Sequence, residues 1–294
     1  RQNLSWAFET ADLEANFTEL DLSEESLPPR ILANVDVVFH LADVVAGIQY
    51  VFGNEFSVWK KNLAINSRTL NSAIEAGVAR YIYVGTACSY PVHLTGYSDN
   101  PKPLLETDVY PANPESSYGW SKLMGEYELA LAEKEDLISA VTLRLHNVYG
   151  FPTELSPERS QVVPSLVRKA ALAESGALDV WGSGRQRRSF VFVDDVVDAL
   201  MFALDRGHGN GAIQIGPENS TSIADLAQIV IKVSNKQLSP RFDPSKPEGD
   251  GERVADISKA RELLGWHPKT PLEEGIGHLY RWAQSSLQPR NSSS

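Results

Sequence analysis

Short apolar runs alternate with longer amphipathic stretches through the first half of the chain. Val35-Asp36-Val37-Val38-Phe39-His40-Leu41 is apolar at nearly every position, the pattern of a parallel strand covered on both faces. Residues 57–76 carry apolar positions at helical spacing, and Gly77 follows as a C-cap. Arg80-Tyr81-Ile82-Tyr83-Val84-Gly85 is the next strand, and Ala140-Val141-Thr142-Leu143-Arg144-Leu145 a third, with a helix over 115–134 between them. Phe17-Thr18-Glu19-Leu20-Asp21-Leu22 reads as a further strand of the same sheet. Strand–helix–strand repetition predicts an α/β layered fold with a parallel sheet, whose ligands sit outside the carboxyl ends of the strands. The loop over 91–114 is too long for a mere connector and is expected to wall that site.

The second half is more mixed. A helix over 164–174 leads to a turn at Val180-Trp181-Gly182-Ser183-Gly184, then to a strand at Ser189-Phe190-Val191-Phe192-Val193. Asp194-Asp195 is expected to cap a helix through Leu204. A short strand at Ile213-Gln214-Ile215, a helix over 222–233 and two small helices over 258–264 and 272–283 follow, and Asn291-Ser292-Ser293-Ser294 reads as a frayed tail.

Composition narrows the function classes. The chain has 294 residues, 42% hydrophobic and 22% charged, ordinary for a globular protein. Its net charge of −11 argues against nucleic-acid binding through a basic surface. No apolar run approaches the ~18 residues a membrane helix needs, so no membrane partner is expected. Cys88 is the single cysteine, which rules out an intrachain disulfide and suits a reducing cytoplasm. No His/Cys/Asp/Glu spacing suggests a metal site.

The candidate chemistry centres on Ser117-Tyr118-Gly119-Trp120-Ser121-Lys122. Positions i and i+4 share a helix face, so the phenol and the ammonium can enter one cleft. A neighbouring cation favours the phenolate, and Lys122 is expected to draw the Tyr118 pKa below its usual ~10. Tyr118 then becomes a general base, with the Thr86 hydroxyl holding the same substrate oxygen. Thr86-Ala87-Cys88 and His146-Asn147 both fall at strand ends and should converge there. His40 and His146 are read as core or cleft-wall packing rather than as catalysts.

Five segments together carry a family resemblance: Val38-Phe39-His40-Leu41-Ala42, Thr86-Ala87-Cys88-Ser89-Tyr90-Pro91, Tyr118-x-x-x-Lys122, Arg144-Leu145-His146-Asn147-Val148-Tyr149-Gly150, and Arg188-Ser189-Phe190-Val191-Phe192-Val193-Asp194. Over nearly the whole chain the sequence resembles the extended short-chain dehydrogenase/reductases, the NAD-dependent nucleotide-sugar epimerase/dehydratase family. The cysteine after Thr-Ala, the run from Trp181 to Phe190 and Pro247-Glu248-Gly249 resemble its GDP-hexose epimerases most, and next its GDP-4-keto-sugar epimerase-reductases.

The resemblance implies a Rossmann-like sheet with a smaller mixed α/β substrate domain. The NAD-binding domain would span 1–150, with 182–206 returning to it, and the nucleotide-sugar domain mainly 151–290. Such a sheet opens with GxGxxG, which the sequence lacks, so the chain is expected to begin after the first β-α unit. A non-catalytic nucleotide-sugar-binding protein is the rival reading on that ground.

The resemblance also distributes roles. Tyr118, Lys122 and Thr86 would serve oxidation at the sugar C4, and Cys88 would exchange a proton beside the resulting ketone. Asp21 and Leu22 would contact adenine, Leu41, Ala42 and Asn62 would line the cofactor cleft, and Tyr118 and Lys122 would hold the nicotinamide ribose. Asn147 and Arg188 would contact the nucleotide-sugar, and Arg253 the pyrophosphate, where a guanidinium gives paired hydrogen bonds. Arg185 and Arg187 are expected to be solvated. NAD is the implied cofactor, with NADP open, and a homodimer through the helices over 57–76 and 115–134 is the implied assembly. One departure concerns the family's second acid/base, a lysine or histidine, whose place falls to Gln161. An amide shuttles no proton, which leaves single epimerisation through Cys88, 4-epimerisation by Tyr118 alone, or keto-reduction. Gln161 can still hydrogen-bond the sugar. Ala87-Cys88 stands where the family's dehydratases carry Asp-Glu, which speaks against dehydration.

Overall fold

In the computed structural model, residues 16–45, 47–97, 102–246, 248–249 and 251–287 are described. Pro247 and residues 291–294, singled out above, lie outside them. The apolar runs pair side by side: β1 (Val37–His40), β2 (Arg80–Thr86), β3 (Ser139–Leu145) and a strand at Ala212–Ile215 form a parallel sheet in that order. Their carboxyl ends, at His40, Thr86, Leu145 and Ile215, therefore lie along one edge.

Strand alternation sorts the sheet's residues between two covers. Tyr81, Tyr83 and Ala140 face α1 (Glu55–Glu75) and α2 (Ser117–Lys134), packing with Leu70, Ala73, Leu129 and Ala132. Ile82, Val141 and Leu143 face the other way, against Val196, Ala199 and Leu200 of a helix at Val193–Phe202 and against Leu264 and Trp266. Gly77 closes α1 in the left-handed region at φ 70°, the expected C-cap. The buried stripe of α1 runs Val58, Asn62, Ile65, Asn66, Thr69, Leu70 and Ala73, and that of α2 includes Lys122 and Glu126. Both helices thus carry polar groups inward.

β4 (Asn147–Tyr149) continues from β3 and pairs in parallel with Phe190–Phe192. A second core gathers Val163, Leu166 and Val167 of α3 (Val162–Leu172), Leu226, Ala227 and Val230 of the helix at Ile223–Ser234, and Ile276, Leu279 and Ala283 of the last helix. The 91–114 loop is pinned at both ends. Pro91 and Pro114 form a bridge, and Leu104 exchanges backbone hydrogen bonds with Val254 and Asp256. Among the described residues no helix is long and apolar enough to cross a membrane.

Several expectations need correction. Residues 17–22 form no strand. β1 is the sheet's edge among the described residues, so this segment has no ladder to satisfy its backbone groups. Asp21 instead folds a turn, its carboxylate accepting from Ser23 N–H at 2.9 Å and Ser23 Oγ–H at 2.6 Å. The expected turn at Val180 is the end of a strand, Gly176–Trp181, paired in parallel with Leu238–Asp243. Asp194 and Asp195 do not cap. The helix starts at Val193 behind Phe192, and buried Asp195 accepts from Thr270 N–H at 3.0 Å. Ala212–Ile215, outside the 182–206 return, also joins the first sheet. Ala260–Leu264 is a single π-helical turn, and the last helix runs on to Leu287.

Candidate active site

The site starts from a change of direction after β2. Thr86 Oγ1 accepts from Cys88 N–H at 3.2 Å, and Ala87–Ser89 makes one 3-10 turn. Ser116 caps α2, its Oγ accepting from Gly119 N–H at 3.3 Å. A Cβ at Gly119 would overlap the Cys88 carbonyl oxygen, so only glycine lets the first turn of α2 lie against this backbone. Tyr118 is thereby set beside Thr86 and Cys88, with Lys122 one turn further along.

Lys122 is 2% exposed, and its Nζ stands 3.1 Å from Asp43 Oδ2. Asp43 belongs to the loop after β1 and was not foreseen as a site residue. The Tyr118 hydroxyl is shifted upward, opposite to the direction expected. Burial first, then the Asp43 carboxylate, hold the Tyr118 hydroxyl well above its ordinary value, while Thr86 acts to lower it. The single sequence signal for Asp43 is a lone carboxylate just past an apolar strand end.

Cys88 is half-buried. Arg253 Nη1 donates to its Sγ at 3.0 Å, reaching across from a short strand at Glu252–Arg253 beside Arg187–Arg188. Buried Arg188 donates to the carbonyls of Arg187 (2.8 Å) and Gly251 (3.2 Å). Arg187 is not the solvated side chain expected, since it pairs with Glu252 at 3.1 Å and Ser220 Oγ at 3.0 Å. Arg185 is exposed, over the Tyr97 ring at 5.2 Å.

Asn62 braces the Asp43 loop through Val44, while Leu41 is 58% exposed beside Ala42 at the end of β1. Asn147 is half-buried in β4, its N–H donating to the Ser189 carbonyl at 3.1 Å. Gln161 is the exposed N-cap of α3 and lines a cavity of about 270 Å³ with Val45, Val148, Tyr149 and Arg159. Asp21 and Leu22 contact Ser23 and, through the Leu22 carbonyl, Arg68 of α1. His40 and His146 are packing residues, paired with Asn66 (2.9 Å) and Gln214 (3.0 Å). Burial lowers each to about 4, so both are neutral near pH 7.

Thr86, Cys88, Tyr118 and Lys122 thus meet at the carboxyl edge of a parallel sheet, and residues 1–216 match the NAD dependent epimerase/dehydratase family. The chain belongs to that family. GDP-mannose 3,5-epimerase of Arabidopsis thaliana is 29% identical over 275 residues, 94% of this chain and 71% of the relative. GDP-L-fucose synthase 1 of the same plant is 32% identical over 227 residues, 75% of this chain and 68% of the relative. UDP-glucose 4-epimerase of Thermotoga maritima, solved with UDP-glucose, superposes with a TM-score of 0.83 at 28% identity, covering 97% of this chain and 90% of that one. Toward the family's cofactor the described residues offer Leu41, 58% exposed at the end of β1, and the buried Ser117 Oγ, which has no hydrogen-bond partner, while Lys122 already faces Asp43.

Proposed function

We propose that this chain epimerises a nucleotide-sugar, a GDP-hexose, by transient oxidation at C4 with NAD. The observation that carries the reading is the meeting of Tyr118, Thr86 and Cys88 at the end of β2. Leu41, Ala42, Asn62 and Lys122 would hold NAD, which would supply hydride acceptance and return at the sugar carbon. Tyr118 receives the proton of the 4-hydroxyl only after giving up its own, and Thr86 holds the same oxygen. A ketone at C4 acidifies the neighbouring C–H bonds, and Cys88 carries one of those protons away or back. The Arg253 guanidinium, 3.0 Å from the sulfur, puts positive charge beside the atom that becomes an anion. Gln161 serves as a hydrogen-bonding wall residue and moves no proton, which supports exchange at one carbon rather than two. Residues up to 150, with 182–206 and the strand at Ala212–Ile215, would carry the cofactor side, and the nucleotide-sugar would be held mainly from 151–290, with Asn147 and Arg188 contributed across the boundary. Asp21, Leu22, Leu41, Ala42 and Asn62 serve the cofactor side.

The test is solvent exchange. Incubation with GDP-mannose and NAD in deuterated water is expected to place deuterium on a carbon next to C4. Cys88→Ala should slow that exchange by ~10²–10⁴-fold, the range of a lost acid/base group, while NADH still forms on the enzyme. Exchange at the parent rate in Cys88→Ala would remove Cys88 from the chemistry, and neither exchange nor NADH with the parent would remove the reading.

The chain acts as a homodimer through α1 and α2, which is supported by Phe56 (78% exposed), Tyr127 (53%) and Leu131 (42%) on those helices. Light scattering should give twice the chain mass, and a monomer at micromolar concentration would contradict it.

A further inference from the structure

Two neighbours surround the Lys122 charge. Its Nζ stands 3.1 Å from Asp43 Oδ2 and 4.6 Å from the centre of the Tyr83 ring. The Asp43 side chain is 6% exposed. Apart from that ion pair, Oδ1 and Oδ2 of Asp43 are buried without a hydrogen-bond donor. The loop that carries Asp43 is fixed from α1. Fully buried Asn62 accepts from Val44 N–H at 2.8 Å and donates to the Val44 carbonyl at 3.2 Å. Leu41 and Val45, two residues to either side, are exposed, and Val45 lines the cavity of about 270 Å³ that Gln161 also lines.

Buried polar atoms are nearly always hydrogen-bonded, and one that is not calls for an explanation. A buried ion pair adds little stability over apolar residues of the same volume, so packing does not explain this carboxylate. Burial pushes the Asp43 carboxyl up, and the Lys122 ammonium acts to lower it. What the pair offers is complementary chemistry: an ammonium that only donates and, 3.1 Å away, a carboxylate that only accepts. A sugar diol matches both, because each hydroxyl donates one hydrogen bond and accepts others.

We propose that Asp43 is a binding residue for the cofactor: its carboxylate accepts a hydrogen bond from a hydroxyl of the ribose that Lys122 holds. This deepens the reading above and rests on Lys122 standing at the nicotinamide ribose. The loop after β1 and the helix α2 then read one diol together, the ammonium through a hydroxyl oxygen and the carboxylate through a hydroxyl proton. A charged acceptor makes the stronger kind of hydrogen bond, so the ribose hydroxyls become a requirement for tight binding. Asn62 supports the contact from behind, through the backbone of Val44.

The experiment is calorimetric titration of the full chain with three ligands: NAD+, the NAD+ analogue lacking both hydroxyls of the nicotinamide ribose, and GDP-mannose. It compares the parent, Asp43→Ala and Asp43→Asn, each checked for folding by circular dichroism. Asp43→Ala is expected to raise the Kd of NAD+ by about 10–100-fold, the range of a lost hydrogen bond to a charged group. The analogue should bind the parent and Asp43→Ala within about threefold of each other, because it brings no hydroxyl to the carboxylate. Asp43→Asn keeps the shape and a neutral acceptor oxygen, so its NAD+ affinity should fall between the two. It serves as the reading if Asp43→Ala does not fold. An equal loss for NAD+ and the analogue would mean that the carboxylate only shapes the site. NAD+ binding unchanged or tightened in the folded variants would mean that the carboxylate does not hold the ribose. Either result overturns the proposal. So does a loss confined to GDP-mannose, which would put the diol on the substrate hexose, and so does a parent that binds no NAD+. The titrations need no turnover. NAD+ binding that depends on Asp43, in a chain that places no deuterium on GDP-mannose, would keep Asp43 and remove the epimerase reading. Deuterium exchange with NAD+ binding indifferent to Asp43 would do the reverse.

Discussion

Replacing Tyr118 by phenylalanine is expected to lower kcat by ~10²–10⁴-fold, the range for loss of a positioned acid/base group. The ring is kept, so the packing of the first turn of α2 against Ala87–Ser89 is kept with it. What disappears is the hydroxyl proposed to carry the proton of the sugar oxygen. Nucleotide-sugar affinity, followed by quenching of the tryptophans, should be nearly unchanged, because the proposed sugar-nucleotide contacts at Asn147, Arg188 and Arg253 belong to other elements. A fall confined to kcat marks an interaction made in the transition state. Turnover within roughly tenfold of the parent would mean that another group takes the proton.

The largest stability effect is expected at the buried pair behind the site. Arg144, 2% exposed in β3, meets Glu126 Oε2 at 2.6 Å through Nη2 and Oε1 at 3.3 Å through Nε. Its Nη1 donates to the Tyr90 hydroxyl at 3.0 Å and to the Glu106 carbonyl at 3.1 Å. Glu106 in turn accepts from Gln214 N–H at 2.9 Å, so the cleft-wall loop is tied to two strands of the sheet through this cluster. Glu126→Ala leaves a guanidinium buried without its counter-charge, which should cost about 3–5 kcal/mol in urea unfolding. Glu126→Leu combined with Arg144→Met removes both charges and should cost less than the single change, for the same reason. A loss below about 1 kcal/mol in Glu126→Ala would mean that water reaches Arg144 and that the pair does not anchor the loop.

What could be read from the chain follows from how local each signal is. Tyr118 and Lys122 share a face because helix geometry alone puts them there, and Thr86 ends a strand whose apolar run stops in the sequence. The strand at Gly176–Trp181 was missed because its partner, Leu238–Asp243, is remote in the chain and contains Pro240. Proline reads as a strand breaker, yet in a two-stranded sheet its missing N–H can face away from the single partner. Residues 17–22 show the converse. Their place before the first apolar run suggested a strand, but a strand exists only where a neighbour completes its hydrogen bonds.

The sequence by itself determined the α/β order, the strand-end clustering of Thr86 and Cys88, and the Tyr118–Lys122 spacing, since these depend on periods of two and 3.6 residues along a continuous chain. Only the tertiary structure decided their charges and partners. Asp43 meeting Lys122, Arg253 touching Cys88 and the burial that raises the Tyr118 hydroxyl all arise between separate elements. Electrostatic energy depends on distance through space and on exclusion of water, and neither is written in the spacing of residues along the chain.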